Sequence, residues 1–60
     1  MQAKIVIKMD NAAFGDEPAY ELHRILWELC GRIKRDGIVQ QILLYDINGN
    51  KVGAFQVWEK

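Results

Sequence analysis

The residues whose types most invite a chemical reading are the chain's one histidine and one cysteine, His23 and Cys30. Placed on a helix they share a flank but stand about 10 Å apart along the axis, too far for the imidazole to take the thiol proton. Two protomers could bring four such soft ligands around a zinc ion, yet neither CxxC nor HxxxH spacing is present, and the pair alone supports no metal site. A partly exposed histidine beside Trp27 and a small buried thiol account for both. The carboxylates Asp10, Asp16, Glu17, Glu21, Glu28, Asp36, Asp46 and Glu59 fall at caps, turns, a hydrated helix face or a terminus, and no two are spaced as an acid/base pair. Asp46-Ile47-Asn48-Gly49-Asn50 has the composition of a calcium loop but neither its glycine at the sixth position nor its glutamate at the twelfth, so it reads as a turn. With no P-loop and no GxGxxG run, nucleotide binding has no support. The expectation is a non-enzyme that carries no cofactor.

Binding chemistry is the remaining choice, and it has two candidate forms. Tyr20, His23, Trp27 and Gly31 gather on one flank of a helix, and Leu43, Tyr45, Val52 and Trp58 on one face of a sheet. Contiguous apolar surface rich in aromatics marks interaction sites. Gly31 inside a helix costs about 1 kcal/mol relative to alanine, a cost that close approach of another backbone would offset. The second form is nucleic acid. Lys4 and Lys8 flank Val6 on one strand face, so two copies could make a basic ribbon for the major groove, with Arg32, Lys34 and Arg35 as a local basic patch. Eight basic residues balance eight acidic ones, however, and no global field draws the chain to phosphate. On the same edge strand lysines also serve to discourage unwanted pairing.

The elements that must position these groups follow from periodicity. Asp16 to Gly37 is the only stretch with sustained helical spacing: Ala19, Leu22, Ile25, Leu26, Leu29 and Ile33 form a core stripe, and Glu21, Arg24, Glu28, Arg32 and Arg35 a charged face expected to stay in water. Asp16 or Glu17 is placed to cap its start, Pro18 stands where its missing N–H costs nothing, and Gly37 can close the end in a left-handed conformation. Ala3 to Met9 alternates as a half-buried strand, with Ala3, Ile5, Ile7 and Met9 on its inner face. Phe14, after the turn residues Asp10 and Asn11, is large enough to tuck under the helix. Ile38 to Ile47 and Lys51 to Trp58 read as two strands joined at Asn48-Gly49. A two-residue turn there, the preferred reading because it places Phe55 and Val57 beside Ile42 and Leu44, pairs Tyr45 with Val52, Leu44 with Gly53, Leu43 with Ala54 and Ile42 with Phe55; a three-residue loop with Gly49 as a bulge shifts the register by one.

The predicted fold is therefore α+β, a single domain over residues 1–60 with the order β-α-β-β, one long amphipathic helix packed on a three-stranded sheet. Sixty residues bury only about 60% of the surface of their unfolded chain, and small folds of this kind commonly complete their cores by oligomerising. One helix cannot cover both faces of the sheet, and a homodimer is expected, built sheet to sheet or through the Tyr20 and Trp27 flank. No apolar run approaches a membrane span and no signal-type core stands at the start, so the expected location is cytoplasmic.

Three stretches, KMDNAAF at Lys8 to Phe14, ELHRILWEL at Glu21 to Leu29 and LYDINGNKVG at Leu44 to Gly53, resemble small uncharacterised proteins encoded by bacteriophages and prophages. The likeness covers most of the chain and carries no catalytic residue. It implies a phage accessory protein that acts by binding a host protein, including components of anti-phage defence, in the bacterial cytoplasm. The chain departs from it at His23, Trp27 and Cys30.

Overall fold

A computed structural model describes residues 1–59 and shows one helix on an antiparallel sheet. β1 spans Gln2–Ile7, α1 Pro18–Asp36, β2 Gln41–Tyr45 and β3 Lys51–Trp58, with a single 3-10 turn at Ala12–Phe14 between β1 and α1. The sheet order is β1-β3-β2, and both pairings are antiparallel. The α+β architecture expected from periodicity is thus present. The last strand fills the gap between the first two and leaves β1 and β2 as opposite edges.

Helix α1 begins at Pro18, whose fixed φ suits the first helical position. The side chain of Glu17, the residue before it, makes no capping bond, contrary to the expected role; its backbone carbonyl instead accepts from Tyr20 and Glu21. At the other end Gly37 takes φ +78° and ψ −165°, a combination open to glycine, and its N–H reaches the Ile33 carbonyl at 2.8 Å. Strand β2 is shorter than the expected Ile38 to Ile47. After Gly37 the chain remains irregular to Gln40, and Ile38 and Val39 are exposed.

The core consists of Phe14, Ile25, Leu29, Ile42, Leu44, Val52 and Phe55, with Ile7, Ala13, Ile33 and Val57 packed around it. Phe14 closes one end beneath the helix, as its size requires. Alternation puts Ile42, Leu44, Phe55 and Val57 on the helix side, the grouping read from the sequence. Two expectations fail here. Ala19 is exposed, and on β1 only Ile7 reaches the core, because α1 lies over β3 and β2 and leaves Ile5 and Met9 uncovered.

The hairpin keeps the preferred two-residue register along most of its length but not at the turn, which takes the three-residue form. Ile42 faces Phe55, Leu43 faces Ala54 and Leu44 faces Gly53, the pairs of a two-residue turn, yet Tyr45 faces Lys51. The turn itself is the longer kind: Gly49 donates to the Asp46 carbonyl, the Asp46 N–H reaches the Asn50 carbonyl, and Gly49 holds φ +85°. Val52 is the extra residue that restores the register, a bulge that turns its side chain into the core and away from Tyr45. Beside this bulge Gly53 approaches β1 so closely that a Cβ would overlap the Val6 carbonyl oxygen. Only glycine fits. Gly53→Ala is expected to lower stability by about 2 kcal/mol or more, the cost of overpacking against rigid backbone, measured as a shift in the urea midpoint; an unchanged midpoint would refute the close approach.

Candidate interaction surface

A buried polar cluster fixes how the helix meets the hairpin turn, and so which surfaces remain outside. Glu21 and Asp46 are both buried. Glu21 accepts from Nε of Arg24 at 3.0 Å on one carboxylate oxygen, and from Nη2 of Arg24 at 2.9 Å and the Ile47 N–H at 2.8 Å on the other. Arg24 continues to the Glu28 carboxylate at 2.8 Å and the Tyr45 carbonyl at 3.2 Å. Asp46 accepts from the Asn48 and Asn50 N–H groups and from the side-chain amides of Asn50 and, at 2.7 Å, Asn11. Asn11 in turn accepts from the Ala13 N–H with its side-chain oxygen, capping the 3-10 turn.

This cluster corrects the expectation that Glu21 and Arg24 lie in water. The helix is rolled so that Glu21, Ile25 and Leu29 are its buried line, because the turn presents backbone N–H groups that need acceptors and Glu21 is within reach. Together the two carboxylates and the Asp46 carbonyl satisfy every N–H from Ile47 to Asn50. Ionisation is favoured at both. The Arg24 hydrogen bonds hold Glu21 below its ordinary value against the desolvation of burial. At Asp46 burial pulls upward, and the donors from Asn50, Asn11 and Asn48 together outweigh it and hold the carboxyl low.

The roll also settles where the candidate residues lie. Tyr20 and Trp27 are 65% and 71% exposed, and the His23 ring stacks on Trp27 with centroids 6.0 Å apart and planes 20° apart. Cys30, expected as a buried thiol, is instead exposed, and with Gly31 it follows along the same flank beside Lys34, because the roll of the helix turns this side to solvent. On the far face of the sheet Leu43, Tyr45 and Trp58 are exposed together with Val6. Val52, assigned to that face from the sequence, belongs to the core. Val6, Tyr20, Trp27, Tyr45 and Trp58 are thus large apolar or aromatic side chains left uncovered on two faces of the molecule.

Alternation sets Lys4 and Lys8 on the face away from the helix, whereas Arg32, Lys34 and Arg35 lie in the closing turns of α1, so the two basic groups occupy different layers. Arg35 is engaged with Asp36 at 2.9 Å. Among the described residues no three His, Cys, Asp or Glu side chains gather closely enough to hold a metal ion, and no helix is long and apolar enough to cross a membrane. Sequence reasoning missed Ile5, Met9, Leu22 and Leu26, which with Ile7 line an open apolar groove between β1 and α1. The signal is there in part: alternation gives the inner strand face and helical spacing the core stripe, whereas neither carries the sideways offset of the helix. Comparison with protein-family models, with curated proteins and with solved structures finds no match to the chain.

Two expectations follow. Both carboxylates titrate lower in the folded chain than in the unfolded one, so the stability they contribute is complete above the unfolded values near 4 and is lost as pH falls through the depressed ones. Thermal melts between pH 7 and pH 2 should show this loss, and Glu21→Gln should start lower at neutral pH and fall less steeply; a wild-type melting temperature constant to pH 2 would refute it. Gly31 meets open space, with nothing within 4 Å of an added Cβ. Gly31→Ala should therefore stabilise the chain by about 1 kcal/mol in urea, and a loss instead would show another backbone seated on that flank.

Proposed function

We propose that this chain is a non-catalytic protein-binding module that works as a homodimer. One observation carries the reading: a 60-residue chain keeps Tyr20, Trp27, Tyr45, Trp58, Leu43, Val6, Ile5 and Met9 in solvent while its core holds a similar number of apolar side chains. Exposed apolar area on this scale is stabilised by cover, and a second copy is the partner always present at matching concentration. The shifted carboxylates are engaged in holding the fold together, so they supply no free acid or base. The aromatic flank, with Trp27 stacked under His23, has the composition of a binding hot spot for a further protein.

The likeness to bacteriophage accessory proteins is what points to a bacterial host protein as that further target, with a component of anti-phage defence as one class. It rests on the three stretches Lys8 to Phe14, Glu21 to Leu29 and Leu44 to Gly53, of which the first and last are joined by the Asn11–Asp46 hydrogen bond. Sedimentation velocity from low micromolar to hundreds of micromolar is expected to give a dimer over most of that range. A monomer throughout would overturn the homodimer.

A further inference from the structure

We propose that the open edge of β1 is the joint between the two copies, the strands pairing antiparallel about a dyad at Ile5 to make one continuous sheet with both helices on the same face. This rests on the homodimer reading above and names its contact.

The backbone bonds determine which groups are free. Lys8 donates to the Val52 carbonyl, and Val57 donates to Gln40 on the other side of β3. In an antiparallel ladder N–H and C=O alternate sides residue by residue. Gln2, Lys4 and Val6 therefore bond β3, and Ala3, Ile5 and Ile7 direct theirs outward, where no strand of the chain lies. These same residues carry the inner-face side chains. Ile5 is 45% exposed, and with Ile7, Met9, Leu22 and Leu26 it lines the groove that α1 leaves open. Unpaired backbone and uncovered apolar surface thus coincide on one side of the molecule.

A second copy fits that side in one register. Centring the dyad on Ile5 sets Ile5 against Ile5 of the partner and Ala3 against Ile7, so every outward group of β1 gains a reciprocal bond. On the opposite face Lys4 then lies across from Val6, and no lysine faces its own copy. Above the sheet the Leu22 and Leu26 flanks of the two helices close over the joined isoleucines. A stable joint needs about 800 Å² from each partner, roughly a sixth of the 4580 Å² surface. The joint therefore has to draw on the whole edge strand together with the helix flank above it. The other edge is not equivalent: at β2 the outward carbonyl of Tyr45 is already taken by Arg24.

Two measurements test the joint. In amide hydrogen exchange of the wild type at dimer concentration, Ala3, Ile5 and Ile7 should be protected to within about tenfold of Val6, their neighbour in the ladder; exchange as fast as the Ile38 to Gln40 loop overturns the proposal. In sedimentation, Ile5→Lys should be a monomer, its fold verified by circular dichroism, while Val6→Glu, which sets an acid across from Lys4, should remain a dimer. If the wild type is dimeric and Ile5→Lys dimerises equally well, the joint is refuted and the homodimer stands. If Val6→Glu dissociates while Ile5→Lys does not, the contact is the far face of the sheet. A wild type that is monomeric at every concentration removes both readings.

Discussion

The Asn11–Asp46 and Glu21–Ile47 hydrogen bonds are the interactions on which the rest of the arrangement depends, because they are where all three parts of the chain are tied together. One joins the exit of the first strand to the hairpin turn across 35 positions, and the other joins the helix to the same turn across 26. A 60-residue chain has little apolar core with which to fix the azimuth of its helix. Charged acceptors placed under a turn full of N–H groups do so instead, since each hydrogen bond to a carboxylate contributes about 1.5–3 kcal/mol. No buried side-chain nitrogen or oxygen among the described residues lacks a partner.

Fixing that azimuth has an outward effect. With Glu21 turned in, the helix leans toward β2, the stripe of Tyr20, His23 and Trp27 is carried to the top of the molecule, and the inner face of β1 is left bare. The exposed surfaces are the geometric remainder of a polar decision made at the turn. The lysines of β1 do not enclose that bare side, because their side chains stand on the other face of the sheet.

Much of this was legible in the sequence. Periodicity located the helix, the proline and glycine signals marked its ends, and the Asn48-Gly49 hairpin sorted Ile42, Leu44, Phe55 and Val57 onto one face. The exposed aromatic flank was also readable, since Tyr20 and Trp27 lie off the stripe of Ile25 and Leu29. What a helical wheel cannot show is that a glutamate will be wanted inside: it ranks Glu21 and Arg24 by charge, whereas the demand came from backbone N–H groups in a loop far along the chain. The pattern Asp-x-Asn-Gly-Asn was the available hint that Asp46 organises its own turn. Sheet order was not readable, as either placement of β1 satisfies its alternation.

The pairing of a long turn at Gly49 with a bulge at Val52 has a further meaning for how this hairpin can change. Each offset moves the ladder by one residue, in opposite senses, so the far pairs from Leu44 and Gly53 to Ile42 and Phe55 behave as if neither existed. Because the ladder already closes at Asp46 and Asn50, a shorter connection between those two residues would leave every pair beyond it in place, and loss of Val52 would remove the offset and a single buried valine. The turn and the bulge are therefore separable: the first sets how the strands are connected, the second which side chain the last strand directs inward.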